Sequence, residues 1–361
     1  MICIKIRHSL KEEYKIFIQQ DLFDSLANII TKSCPSAKYF LITVPPLEKL
    51  YLESIKNQFS KLNCELRSKI IKDGEQSKSL TVVKDILDYL FSQKANRHSV
   101  LIAFGGGVVG DITGFAASIY MRGIKYVQIA TSLIAQVDSS IGGKTGINSI
   151  YGKNLIGTFY QPSLVIIDPK LISSLPDKEY LNGLAEVVKY GLLNKNIFNM
   201  LEKNIDRINI RDTIILTEII AKCCTFKAKI VSTDLYDKNT RAILNLGHTI
   251  GHALEKTFHY QSFKHGQAIA WGMLTACNIA KKRNLLNLKV HTRIVSLLKS
   301  FNIFKPLPKL NANDLITAVK MDKKKTHPTF TFILPVGIGI VKEFNDIREE
   351  EILNAINELS S

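Results

Sequence analysis

Short, uninterrupted apolar runs mark the first half of the chain. Residues 39–44 (Tyr-Phe-Leu-Ile-Thr-Val) and 100–104 (Val-Leu-Ile-Ala-Phe) have the length and side-chain character of strands buried on both faces, and 126–130 and 164–167 add further strands. Between the first two, residues 47–61 and 80–91 space their apolar positions at helical intervals. This rhythm predicts a parallel sheet covered by helices. The opening Met-Ile-Cys-Ile-Lys-Ile-Arg-His alternates apolar and charged residues like an edge strand. From about Pro176 the period lengthens. Residues 179–193, 213–230, 242–258, 268–282 and 292–301 predict helices, followed by a short β element at 330–334 and an amphipathic helix at 349–359. The expected fold class is α/β: a Rossmann-like, mainly parallel nucleotide-binding domain over residues 1–175, and a mostly α-helical metal- and substrate-binding domain over 176–361. With no flexible linker between them, the halves are expected to pack around a cleft.

Composition narrows the class. In 361 residues, 46% are apolar, enough for a large core and too much for global disorder. No apolar run reaches the length of a membrane span, and the N-terminus lacks a signal-peptide layout. Cys3, Cys34, Cys64, Cys223, Cys224 and Cys277 form no CxxC pair, which fits reduced thiols in a cytoplasm. The formal charge of +16 comes from scattered lysines, and the compact run Lys323-Lys324-Lys325 has no interleaved aromatics. Neither a nucleic-acid nor a membrane partner is expected from such a pattern.

Against this background a few polar residues stand out. Leu-Asn-Leu-Gly-His-Thr-Ile-Gly-His ends at His252, His265-Gly266 follows, and Glu186 lies upstream in Gly-Leu-Ala-Glu-Val-Val-Lys. Two imidazoles and a carboxylate from different helices are a common ligand set for a catalytic zinc. If residues 242–258 form one helix, His248, His252 and Asn245 share a face. Spacing nominates both histidines, but Thr249 stands where the glutamate of a metalloprotease HExxH would be, so the choice among three imidazoles stays open. Gly247 and Gly251 each weaken a helix by about 1 kcal/mol relative to alanine, which suggests a close backbone approach. Glu186 and Lys189, one turn apart beside the stripe Leu181, Leu184, Val188 and Leu192, suit either a cleft or a surface ion pair.

Gly105-Gly106-Gly107-Val108-Val109-Gly110-Asp111 satisfies GxGxxG after a predicted strand, where backbone N–H groups can cradle a pyrophosphate. The acidic residue expected at the end of the next strand is missing, since that strand leads into Thr131-Ser132, so this is not the usual first turn of a Rossmann fold. Ile141-Gly142-Gly143-Lys144-Thr145 lacks the upstream glycine of a phosphate-binding Walker loop. Lys144 and Lys153, on glycine turns near Asp138, suit phosphate and carboxylate groups instead.

Taken in order, these segments resemble the 3-dehydroquinate synthase family. The likeness runs through nearly the whole chain, from Asp73-Gly74-Glu75-Gln76-Ser77-Lys78 through the glycine turn, Tyr120-Met121-Arg122-Gly123, Ala135-Gln136-Val137-Asp138-Ser139-Ser140 and Gly152-Lys153-Asn154. It continues through Leu175-Pro176, Glu186, Lys189, Asn245 to His252, and His265-Gly266 to Asp322-Lys323-Lys324. The resemblance implies a carbon–oxygen lyase of the shikimate pathway that turns 3-deoxy-D-arabino-heptulosonate 7-phosphate into 3-dehydroquinate and phosphate. NAD transiently oxidises C5, phosphate is eliminated, hydride returns, and ring opening with an aldol closure follows. It also implies one zinc or cobalt ion held by Glu186, His248 and His265, which leaves His252 on the substrate side. Asp138, Lys144, Lys189, Arg241, Asn245 and His252 would be catalytic. Arg122, Asn154, Lys229 and Lys324 would bind substrate, with Arg122 reaching the neighbouring site of a homodimer. NAD would lie against Asp73-Gly74-Glu75-Gln76-Ser77-Lys78, Gly107-Val108-Val109-Gly110-Asp111, Thr131-Ser132, Lys144, Lys153 and Leu171-Ile172-Ser173-Ser174. The rivals are a related sugar phosphate cyclase, a metal-dependent polyol dehydrogenase, and an inactive protein using its basic surface.

Several positions depart from the family pattern. Asp234-Leu235-Tyr236-Asp237 replaces Asp-Glu-x-Glu, Gln267 replaces the glutamate usual after His265-Gly266, Ser132 and Ser174 replace threonines, and Val44-Pro45-Pro46 lacks a polar residue.

Overall fold

The computed structural model describes residues 1–7, 13–258, 263–307, 312–322 and 329–360. Its main sheet has seven strands: β1 (Ile2–Arg7), β2 (Glu13–Ile18), β3 (Lys38–Thr43), β4 (Glu65–Ile70), β5 (Val100–Gly105), β6 (Tyr126–Ala130) and, after a small hairpin β7 (Lys144–Ser149) and β8 (Gly152–Phe159), β9 (Leu164–Ile167). They lie in the order β1-β2-β9-β6-β5-β3-β4. Only the edge pair β1–β2 is antiparallel, and the other neighbours run parallel.

The continuous apolar runs have their physical reason here. Leu41, Ile102, Phe104, Val127 and Ile166 pack on one face with Leu26, Ile30, Ile55 and Phe59 from the Leu26–Ser33 and Glu53–Lys61 helices. Phe40, Ile42, Leu101, Ala103 and Tyr126 pack on the other with Val83 and Ile86 from Leu80–Ser92, and Ile112 and Ala116 from Gly107–Ile119. Alternate residues of one strand therefore serve two cores, and at about 1.5–3 kcal/mol per large apolar side chain both faces demand covering. Sequence reasoning does not predict β2 or β4. β2 alternates exposed and buried residues, and edge strand β4 is only partly covered.

The second half is helical: Asp177–Leu193, Lys195–Lys203, Thr213–Thr233, His248–Thr257, His265–Lys282, Leu288–Ser300, Ala312–Asp322 and Glu349–Ser360, with one hairpin of β10 (Thr329–Gly337) and β11 (Ile340–Arg348). One prediction needs correction. Residues 242–258 do not form a single helix: Thr240–Asn245 is a tight 3₁₀ turn, and the α-helix begins only at His248. Gly247 breaks the run at φ +80°, in the left-handed region that glycine enters without a Cβ clash. Asn245 therefore does not share a helix with the two histidines.

The chain forms two compact units, Met1–Leu175 with Lys227–Tyr236, and Pro176–Phe226 with Asp237–Ser361. No described helix is long and apolar enough to cross a membrane, and all six cysteines are free thiols.

Candidate functional site

In the first unit most of the expected nucleotide residues gather at the carboxyl ends of parallel strands of the main sheet, while Lys144 and Lys153 lie on the β7–β8 hairpin. Asp73 to Lys78 follow β4, the glycine turn follows β5, Thr131-Ser132 follow β6, and Leu171 to Ser174 follow β9. The connections run outward to β4 from β3 but toward β9 from β5, so strand order reverses between β3 and β5. Ligands of open α/β sheets bind at such reversals. The Gly107–Ile119 helix starts there and directs its first N–H groups outward. The Thr131 N–H donates to the Gly105 carbonyl at 3.0 Å, which ties the two neighbouring turns together.

Lys78 is buried, and its ammonium donates to Asp111 Oδ2 at 2.6 Å and to Asn154 Oδ1. Asn154 adopts φ +56° in β8, and its N–H donates to Asn148 Oδ1 at 2.9 Å. Lys144 is exposed at the start of β7, Lys153 is half-buried, and Arg122 is exposed at φ +68°. Asp138 sits on a wide turn at Ala135–Ser139. Its carboxylate and carbonyl accept from Lys227 Nζ at 2.8 and 2.7 Å. Lys227 is 5% exposed, whereas Lys229 is exposed. Two residues along a helix is about 200° of rotation, so only one of the pair can face Asp138, and it is Lys227 rather than the expected Lys229 that does.

In the second unit, Glu186 and Lys189 lie on the Asp177–Leu193 helix, each 1% exposed, with Lys189 Nζ against Glu186 Oε2. A surface ion pair is excluded. The other oxygen, Oε1, lies 3.3 Å from His265 Nε2 and 3.7 Å from His248 Nε2. One ligand atom from each of these three residues lies within 4.8 Å of the others. His248 Nδ1 lies 3.2 Å from the Leu246 carbonyl. With the proton on Nδ1, Nε2 keeps its lone pair toward Glu186. Burial, reinforced by Lys189, holds the His248 pKa well below its ordinary value, so the imidazole is neutral, the form that ligates. His265 behaves oppositely. Burial pushes it down, but hydrogen bonds to Glu186 and Glu255 outweigh that and raise it to about 10 in the metal-free site, so a bound metal would displace the Nε2 proton. His252 is exposed, its ring centroid 5.3 Å from that of His248. Arg241 is buried and Asn245 exposed. Lys324 lies outside the described residues.

The helices carrying this set approach closely. A Cβ on Gly266 would lie 2.1 Å from the Asn182 carbonyl oxygen, and one on Gly272 would lie 1.9 Å from that of Gly247. Asn182 Oδ1 also accepts the Gly266 N–H at 2.6 Å.

The 3-dehydroquinate synthase N-terminal family matches residues 68–182, and the 3-dehydroquinate synthase C-terminal family matches residues 183–325. A 3-dehydroquinate synthase of Thermoanaerobacter sp. (strain X514) is 41% identical over 349 residues, 96% of this chain and 98% of the relative. That of Thermodesulfovibrio yellowstonii is 40% identical over 98% of this chain and 99% of its own. The chain belongs to the 3-dehydroquinate synthase family.

Membership gives the reaction: 3-deoxy-D-arabino-heptulosonate 7-phosphate is converted to 3-dehydroquinate and phosphate, the second step of the shikimate pathway. Solved structures agree on the architecture. A 2-deoxy-scyllo-inosose synthase, complexed with carbaglucose-6-phosphate, NAD⁺ and Co²⁺, superposes with TM-score 0.89 at 26% identity, covering 99% of this chain and 100% of that one. A 2-epi-5-epi-valiolone synthase from Streptomyces hygroscopicus subsp. jinggangensis, with NAD⁺ and Zn²⁺ bound, also gives 0.89 at 26% identity, covering 98% of each. An iron-containing alcohol dehydrogenase of Thermotoga maritima (TM-score 0.68, 14% identity, 95% of this chain and 97% of that one) shares the fold.

Two residues of this 3-dehydroquinate synthase family member escape sequence reasoning, Lys227 and Glu255. Each carries a signal in helical spacing. Lys227 follows buried Cys223 by four residues and precedes buried Val231 by four, and Glu255 follows His252 by three. Gln267 departs from the family glutamate, and its Oε1 accepts the Lys264 N–H at 3.1 Å, capping the helix that begins at His265.

Proposed function

We propose that the chain performs this reaction with one zinc or cobalt ion on Glu186, His248 and His265, and with NAD along the carboxyl edge of the main sheet. The observation that carries the metal assignment is the donor set itself: a buried carboxylate oxygen facing two imidazole nitrogens, one neutral and backed by a carbonyl. When bound, the ion supplies Lewis acidity at the substrate hydroxyl, and NAD accepts and returns a hydride within one turnover. The chain's own residues bind, orient and neutralise. Lys189 keeps a buried positive charge beside Glu186. Lys227 fixes Asp138 through two hydrogen bonds and takes the substrate-side role expected of Lys229. His252, exposed beside the ligand imidazoles, exchanges protons with substrate or solvent. Arg122, Lys144, Lys153, Asn154, Arg241, Asn245 and Lys324 supply the cations and amides that a phosphate and a carboxylate require.

The same reading includes a cytoplasmic homodimer in which Arg122 serves the neighbouring site. Met121 and Arg122 are successive non-glycine residues at φ +48° and +68°, costing about 1–2 kcal/mol each. Such strain is retained where a side chain must be aimed. The test is metal analysis of purified protein together with phosphate release from the heptulosonate. Phosphate release at one metal per chain without net NADH supports the reading, and accumulating NADH without phosphate would point to a polyol dehydrogenase instead.

A further inference from the structure

We infer that Glu255 is the positioning residue that orients His265 for the metal, an inference that rests on the ligand set proposed above. Glu255 lies on the His248–Thr257 helix and is 3% exposed. Its Oε2 is 3.2 Å from His265 Nδ1, while the opposite ring nitrogen, Nε2, faces Glu186 Oε1 at 3.3 Å. The ring is therefore held between two carboxylates, one on each nitrogen. Only one of them can share a metal with Nε2. The other accepts the Nδ1 proton, which fixes the tautomer, aims the Nε2 lone pair and raises its basicity. His248 has the same arrangement with a neutral oxygen, the Leu246 carbonyl.

The residue at 267 cannot perform this task. It is an uncharged glutamine whose side chain turns back to accept the Lys264 N–H. His265 is the first residue of its helix, with no preceding turn of that helix to restrain its ring. A carboxylate from a neighbouring helix meets that need. A buried carboxylate is also costly unless paired, so its place beside His265 calls for a compensating role.

Zinc competition against a chromophoric chelator, on metal-stripped protein shown by circular dichroism to be folded, tests the inference. Glu255→Gln keeps an acceptor oxygen without the charge and is expected to weaken zinc about 10-fold, and Glu255→Ala about 100-fold, the range for losing an outer-shell partner. The visible spectrum of the cobalt-loaded Glu255→Ala protein should also change, which a purely structural role would not cause. Wild-type affinity and spectrum in both variants overturns the inference. His248→Ala separates it from the reading beneath. If His248→Ala loses zinc while both Glu255 variants keep it, only the positioning role fails. If His248→Ala retains zinc but His252→Ala loses it, the ion belongs on His252, Glu255 and His265, and both fail.

Discussion

Gly272→Ala tests whether backbone contact between two helices sets the metal geometry. The new Cβ would lie 1.9 Å from the Gly247 carbonyl oxygen, 2.8 Å from its carbon and 3.1 Å from its Cα, all backbone atoms that cannot rotate away. Ordinary C···O contacts begin near 3.3 Å, so the His265–Lys282 helix must move about 1.4 Å from Gly247. His248 is the next residue after Gly247 and moves with it, while His265 belongs to the other helix. Ligand positions tolerate about 0.2 Å, so the required shift is several times too large. Overpacking costs about 3 kcal/mol at a rigid backbone contact. Alanine returns about 1 kcal/mol of helix propensity. The net loss of about 2 kcal/mol lowers Tm by roughly 3 °C for a chain of 361 residues. Gly251→Ala is the control. Its Cβ meets Ile269 Cδ1 at 2.5 Å, a movable chain end, and backbone only at 3.2 Å. The assays are thermal unfolding of the metal-free protein and zinc content after dialysis. Wild-type Tm and zinc in Gly272→Ala would refute the reasoning.

Three further outcomes are expected. Lys227→Met should lower kcat/KM by about 10–100-fold, from the loss of charged hydrogen bonds worth about 1.5–3 kcal/mol, while exposed Lys229→Met stays near wild type; the reverse order would restore Lys229. Arg122→Ala mixed with His265→Ala should regain roughly a quarter of wild-type activity if a two-fold dimer shares its sites, because half the dimers carry one intact site; no recovery would rule out sharing. Arg283 binds Glu351 through Nε at 2.6 Å and Nη2 at 2.8 Å, and holds that carboxyl below its ordinary value of 4.5. A depressed folded value stabilises above the ordinary value and is lost as pH falls through the lowered one. Glu351→Gln should therefore lose less stability than wild type between pH 7 and pH 3 in urea titrations, and equal losses would show that the pair contributes nothing.

Much of the fold was legible because burial on both faces leaves a sequence no freedom. β5 and β9 are buried throughout, and the apolar runs at 100–104 and 164–167 follow directly. β4 was not legible, because an edge strand with Glu65, Arg67 and Lys69 resembles any exposed segment. The false continuity of 242–258 has a different origin. Apolar periodicity carries across Gly247, but the extended backbone of Leu246 (ψ 123°) and the positive φ of Gly247 break the helix. Glycine is compatible with both outcomes, so the letters alone do not choose.

The site divides along the same line. The neighbourhood of the metal set was legible because ionisable residues in apolar sequence need a reason to be there, but spacing left the three imidazoles undecided, and the set Glu186, His248 and His265 came from the family resemblance. Glu255 and Lys227 were equally stranded, but their reasons are other side chains distant in sequence, Glu255 against His265 and Lys227 against Asp138. The i, i+4 relation from Cys223 to Lys227 identifies a buried lysine without naming what it faces. The glycines at 266 and 272 are the intermediate case. Each marks a missing Cβ, yet only the positions of the Asn182 and Gly247 carbonyls turn that absence into the spacing of three helices. Candidate ligands are therefore marked locally, while the choice among them and their geometry are encoded in contacts between segments. Substitutions at Gly272 or Glu255 should alter zinc affinity although neither residue is in the proposed ligand set.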